Sequence, residues 1–81
     1  MDTKQQIREF ITSNFYVADP GALTDDASLL DAGIIDSTGV LEVIGFIEDT
    51  FQVEVDDEEM IPENLDSVNA IAAFVERKRA G

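Results

Sequence analysis

Apolar residues along the chain fall into three helical rhythms separated by turn-forming stretches. Ile7, Phe10, Ile11 and Phe15 recur at helical steps and mark one stripe of a first helix. Asp2 or Thr3 stands where such a helix takes its cap, and an acid there suits the positive end of the dipole. After Tyr16 the run Ala18-Asp19-Pro20-Gly21 is a turn signal that ends the helix. About fifteen residues follow without helical pattern, a long loop for a compact domain, so its leucines (Leu23, Leu29, Leu30) are expected to pack against the helices. Gly33 closes this loop. A second helix is predicted from about Ser37 to Phe51, with Val40, Val43, Ile44, Ile47 and Phe51 facing the core. Its other side carries Leu41, Glu42, Gly45, Glu48 and Asp49. Gly39 and Gly45 each weaken a helix by about 1 kcal/mol against alanine. Each therefore implies a close backbone approach or a small surface residue.

Gln52 to Val55 alternates in polarity and reads as a short extended stretch. The acidic run Asp56-Asp57-Glu58-Glu59 can open a brief helical turn, kept short because Pro62 drives Ile61 out of helical geometry. A last helix takes Asp66 or Ser67 as N-cap and shows Val68, Ile71, Ala72 and Val75 on one face, with Phe74 beside it. It ends in Arg77-Lys78-Arg79, cations at the negative end of the dipole. The pattern predicts an all-α fold: a small four-helix bundle with a long loop between the first two helices and a short third helix. Residues 1–81 make one domain, without repeats or low-complexity segments.

Charge changes the picture more than composition does. Five Lys and Arg stand against 18 Asp and Glu, a net charge of −13, and 44% apolar content argues against disorder. No basic residue occurs between Glu9 and Glu76, a span that holds 17 of the 18 acids. Bare nucleic acid and anionic membrane would be repelled. Solubility explains part of this acidity. Repulsion within so small a domain also costs stability, so a middle shaped for a basic partner is the competing explanation. No apolar run is long enough to span a membrane and no secretory leader pattern is present, so a soluble, cytoplasmic domain is expected. A monomer is expected as well.

Candidate chemistry narrows quickly. With no cysteine and no histidine, the chain lacks thiolate zinc ligands, a cysteine nucleophile and the commonest general base. The acids lack EF-hand spacing, so no built metal site is expected. Paired carboxylates for glycoside chemistry would need a concave pocket that so small a bundle rarely provides. No phosphate-binding glycine loop precedes a Lys-Ser or Lys-Thr pair. Asp36-Ser37 remains, where the long loop meets the second helix. Either residue can simply be the N-cap. Alternatively Ser37 carries a phosphate ester, which a helix N-terminus stabilises through its free N–H groups and dipole. Spacing alone leaves both open.

Leu29-Leu30-Asp31-Ala32-Gly33-Ile34-Ile35-Asp36-Ser37, followed by Val40-Leu41-Glu42-Val43-Ile44 and Phe46-Ile47-Glu48-Asp49-Thr50-Phe51, resembles the signature of acyl and peptidyl carrier proteins. The likeness covers nearly the whole chain, helix by helix. It implies a non-catalytic carrier bearing 4′-phosphopantetheine, taken from coenzyme A, on Ser37 beside the signature residue Asp36. It further implies a partner-docking face of Asp36, Leu41, Glu42, Gly45, Glu48 and Asp49. Reversing the charge of Glu42 and Glu48 is expected to slow loading and leave the fold intact. The implied partners are a phosphopantetheinyl transferase, an ATP-dependent acyl or aminoacyl ligase, and a downstream synthase or transferase with a basic patch. Absence of cysteine fits, since the working thiol would arrive with the prosthetic group and hold its cargo as a thioester. Two residues separate Gly33 from Asp36, and Thr38-Gly39 follows Ser37, which looks closer to D-alanyl and stand-alone peptidyl-type carriers than to fatty-acid carriers. Where Gly45 stands, the family often has a methionine or other bulky apolar group. The rival functions are an acidic interaction module that works by charge alone and, more remotely, a small calcium sensor.

Overall fold

A computed structural model describes residues 2–17, 19, 21 and 23–80. It contains α1 (Thr3–Asn14), α2 (Ser37–Phe51), α3 (Pro62–Leu65) and α4 (Val68–Ala80), with a 3-10 turn at Asp57–Glu59 ahead of α3. The chain is the expected all-α four-helix bundle, and no strand occurs among the described residues. Asp2, rather than Thr3, caps α1. Its Oδ1 accepts the Gln5 N–H at 2.8 Å while Gln5 Oε1 accepts the Asp2 N–H at 3.5 Å, a reciprocal capping box. Of the turn signal that follows α1, Ala18 and Pro20 lie outside the described residues.

Helix α4 is the spine of the core. Val68, Ile71, Ala72, Phe74 and Val75 are buried on it, and it packs against the other three helices. Ile7 and Ile11 of α1, Val43, Ile44 and Ile47 of α2, and Leu65 of α3 complete the interior. No polar or charged residue among the described ones is buried. Apolar burial therefore drives the fold, and the large negative charge stays at the surface, within reach of screening ions. Along the α1–α2 seam Phe10 stacks on Phe46 with ring centroids 4.2 Å apart. Phe15 and Phe51 meet that pair edge-on at its two ends. Phe15, Val40 and Phe51 are half-buried flanks of the core rather than its centre.

The two glycines of α2 have different reasons. A Cβ on Gly39 would stand 3.0 Å from Phe15 Cε1 and 3.1 Å from Ile35 Cβ, so the end of α1 and the loop press directly on the helix backbone there. A Cβ on Gly45 would meet nothing within 4 Å. Gly39 serves a close approach; Gly45 is bare surface.

The long loop is packed, as its leucines suggested, and strapped as well. Leu23 and Leu29 are buried, and Arg8 donates to the Leu23 carbonyl at 2.6 Å and to Asp25 Oδ1 at 2.5 Å. Asn69 of α4 donates its backbone N–H to the Asp25 carbonyl at 2.9 Å and its side-chain amide to Asp26. Leu30 departs from the expectation and is 37% exposed. The reason is a tight turn in which the Leu29 carbonyl accepts from Ile34 and Ile35, so the residue after Leu29 is turned outward. Gly33 closes the turn at φ 73°, where an L side chain would be strained. Ile35 is buried and Ile34 half-buried, which brings Asp36 and Ser37 to the surface.

Between α2 and α4 the structure decides four points. The stretch Gln52 to Val55 is not extended throughout. Gln52 ends α2 in the left-handed region at φ 57°, and Val55 turns into the core. The Val55 N–H donates to Glu48 Oε2 at 3.0 Å, so reversing Glu48 would strip a half-buried amide of its acceptor and would not leave the fold untouched. The acidic run makes only the 3-10 turn. Ile61 is extended at φ −121°, as its following proline requires, and Pro62 then opens a separate helix from its first position. Finally, Ser67 alone caps α4, its Oγ accepting the Ala70 N–H at 3.0 Å, while Asp66 is turned back to the loop. The Lys78 ammonium lies 2.8 Å from Glu59 Oε1 and ties the acidic turn to the end of α4. This hydrogen bond holds the Glu59 carboxyl below its ordinary range and Lys78 above its own. The Glu59 contribution is present above the ordinary carboxylate range and is lost as pH falls through the lowered value.

Candidate functional site

The site is the mouth of α2. Asp36 lies in extended backbone and its Oδ1 accepts the Gly39 N–H at 2.8 Å, so Asp36 is the N-cap. Ser37 is the first helical residue and is exposed. Its hydroxyl has no hydrogen-bond partner among the described residues. The other serines near helix starts or turns differ. Ser67 spends its Oγ on capping α4, and Ser28 Oγ donates to Asp66 Oδ2 at 2.6 Å and accepts the Asp31 N–H at 3.1 Å. Two groups competed for the cap in the sequence, and the fold divides the labour: Asp36 binds the helix and Ser37 is left for something else.

The N–H groups of Ser37 and Thr38 have no acceptor within the helix, while those of Gly39 and Val40 bond Asp36. With the helix dipole, those two free donors face any phosphate esterified to Ser37. The neighbouring Asp36 carboxylate would repel such a phosphate, but it is bound back onto the Gly39 N–H. The residues present therefore fit a phosphoryl group on Ser37.

An apolar groove of about 370 Å³ opens beside Ser37, between the start of α2 and the 3-10 turn and α3. Leu30, Leu41 and Ile61 rim it, and they are three of the four large hydrophobics exposed among the described residues. Met60 and Leu65 form its floor. Sequence reasoning singled out Leu41 but missed Leu30, Met60 and Ile61. The available signal was the apolar pair Met60-Ile61 between an acidic run and a proline, with no helical stripe to bury it.

Leu41, Glu42, Gly45, Glu48 and Asp49 are all exposed on one face of α2, with Leu41 62% exposed. No ion pair engages Glu42 or Asp49 among the described residues, whereas Arg8 and Lys78 are paired with Asp25 and Glu59. The α2 face is thus an acidic surface with an apolar group near Ser37. Nowhere among the described residues do three metal-ligating side chains converge. Millimolar Mg²⁺ is expected to raise the melting temperature gradually, by screening spread charge over about 10 Å or less. Scanning calorimetry across a Mg²⁺ series checks this. A stoichiometric isotherm with submicromolar affinity would contradict it.

The family described as phosphopantetheine attachment site matches residues 5–75, from within α1 to within α4. No curated protein matches the chain in sequence.

Proposed function

The chain belongs to the phosphopantetheine attachment-site family, and from that membership we propose that Ser37 is its attachment residue and that it carries an acyl or aminoacyl cargo. Family membership makes it a carrier domain with covalently attached 4′-phosphopantetheine, served by phosphopantetheinyl transferases and partner enzymes and not itself catalytic. No helix among the described residues is long and apolar enough to cross a membrane. The single observation that carries the assignment to Ser37 is the free, exposed hydroxyl at the mouth of α2 beside a cap already supplied by Asp36. In the transfer, the Ser37 Oγ–P bond forms as the pyrophosphate bond of coenzyme A breaks. Adenosine 3′,5′-bisphosphate leaves, and the serine proton passes to a base of the transferase. The bound group supplies a thiol on a long flexible arm, which holds cargo as a thioester. This protein's own part is to root that arm on a rigid helix and raise the cargo's effective concentration at each partner. Incubating the purified chain with coenzyme A, Mg²⁺ and a promiscuous phosphopantetheinyl transferase tests the reading. One phosphopantetheinyl group on the peptide containing Ser37 is the expected result.

The exposed acids of α2 fit a basic surface on those enzymes. Exposed pairs are worth only about 0–1 kcal/mol each, so their effect falls mainly on the rate of encounter. Glu42→Lys with Asp49→Lys is expected to slow modification severalfold at low ionic strength, with the difference shrinking as salt rises. Glu48 is left out because it holds the Val55 amide. Equal rates for the double variant and the parent across a salt series would show that this face does not steer the encounter.

A further inference from the structure

Four large hydrophobic side chains are exposed among the described residues, and three of them, Leu30, Leu41 and Ile61, rim the groove beside Ser37. The fourth, Tyr16, is 86% exposed and takes no part in that groove. Its place is set by the residue before it, since Phe15 presses on Gly39 in the first turn of α2. Among the described residues the Tyr16 ring meets no other aromatic ring and its hydroxyl has no hydrogen-bond partner. The fold makes no use of it. Tyr16 borders a separate recess of about 340 Å³, lined also by Val17, Leu23, Ala27, Ala32 and Ile34. The floor of this recess is firm, because Leu23 is buried and Val17, Ala27 and Ile34 pack on the core. Asp19 is the one charged residue in its described lining, and its Oδ1 already accepts the Gly21 N–H at 3.2 Å. Ile34 stands three residues ahead of Ser37, at most about 11 Å of extended chain. Single apolar groups scattered over a surface need no explanation, but here all four gather about one helix mouth, on two recesses.

We propose that Tyr16 and its recess form a second contact for the phosphopantetheinyl transferase that modifies Ser37, filled by an apolar side chain of that enzyme and separate from the acidic face of α2. The inference rests on the reading of Ser37 as the attachment residue. Position selects the occupant. The transferase must bring its reacting centre to Ser37 Oγ itself, whereas enzymes that act on the cargo meet the far end of the arm. A standard interface covers about 800 Å² on each partner, a patch of roughly 16 Å radius. A footprint centred on Ser37 therefore takes in the Ile34 wall of the recess. A second copy of the chain is a poor occupant, since it brings the same net charge of −13. Tyrosine suits the role, being enriched at the centres of interfaces and among the few residues that carry most of their affinity.

Steady-state modification of the apo chain by a promiscuous phosphopantetheinyl transferase, with coenzyme A and Mg²⁺, tests this in Tyr16→Ser, Tyr16→Phe and Ala32→Gln. Ala32 is exposed in the lining, so glutamine there fills the recess from within the chain. Tyr16→Ser is expected to raise KM about tenfold with kcat little changed, the loss of an aromatic anchor. Tyr16→Phe stays within twofold of the parent, because the ring makes the contact. Ala32→Gln raises KM severalfold. Salt separates this contact from the acids of α2: the ratio of KM between Tyr16→Ser and the parent persists as ionic strength rises. Thermal melts by circular dichroism establish that each variant is folded at the assay temperature. A Tyr16→Ser chain modified with the parent's KM overturns the contact and leaves the attachment reading intact. A KM ratio that falls to one at high salt assigns the loss to charge and overturns it too. So does a parent that sediments as a dimer which Tyr16→Ser dissolves, since a second copy then holds the patch. A parent chain that gains no mass removes the attachment reading and the contact together.

Discussion

Ser37→Ala is expected to leave the protein folded and wholly unmodified, while Ser67→Ala is modified normally and melts earlier. The two residues look alike in sequence, each following an aspartate at the start of a helix. Their environments separate them. Ser37 Oγ makes no bond within the described structure and Asp36 does the capping, so losing the hydroxyl removes nothing the fold uses. A stability change within about 0.5 kcal/mol is expected for such a surface substitution. Ser67 Oγ accepts the Ala70 N–H at 3.0 Å, and losing a cap of this kind costs about 0.5–2 kcal/mol. For a domain of this size that lowers the melting temperature by several degrees, about 4–8 °C per kcal/mol. Intact mass after transferase treatment, with thermal melts of the same samples, gives both readouts. A phosphopantetheinyl group retained on Ser37→Ala moves the site elsewhere. Absence of any adduct on the parent with several transferases returns the acidic interaction module to first place.

The main helices were legible because their signals are local. For α2, Asp36 at one end and a core stripe through Val43, Ile44 and Ile47 define the helix, and the predicted bounds are the observed ones. Its other end was not readable from the usual glycine, since Gln52 takes the left-handed conformation instead. What the sequence could not settle were choices decided by distant partners. Asp66 and Ser67 are equivalent caps on spacing. Only the loop, folded back across 36 and 38 positions of sequence to bond Asp66, leaves the cap to Ser67. Pro62 was read as a helix stop because of its effect on Ile61, and the same proline starts α3. At the site, Asp36 and Ser37 were visible in the signature, as was the exposed α2 face. The groove was not, because Leu30 and Ile61 come from a turn and a linker whose outward aim is set by the hydrogen bonds of the Leu29 turn and by the proline after Ile61 rather than by periodicity.

Asp66→Ala is expected to produce the largest loss of stability among surface-accessible changes and to slow modification of Ser37 without touching it. The Asp66 carboxylate accepts the Ser28 hydroxyl at 2.6 Å and the Leu30 N–H at 2.9 Å, while its backbone carbonyl accepts the Leu29 N–H at 2.7 Å. Only the last bond survives in alanine. Hydrogen bonds to a charged group contribute about 1.5–3 kcal/mol each, and partial exposure here argues for the low end, about 2–4 kcal/mol for the two. A chain of this length has a total stability of roughly 4–12 kcal/mol, so the melting temperature should fall by about 10 °C or more. The same two bonds fix the turn that buries Leu29, aims Leu30 at the groove and delivers Ile35 to the base of α2. Asp66→Asn, which keeps one acceptor, should fall between alanine and the parent in both stability and rate. Comparison with Ser67→Ala at a temperature where both variants are folded separates presentation from stability. If the turn presents Ser37, Asp66→Ala is modified more slowly than Ser67→Ala there. Equal rates would mean that the turn stabilises the bundle only, and a melting temperature within a degree or two of the parent would mean that it does neither.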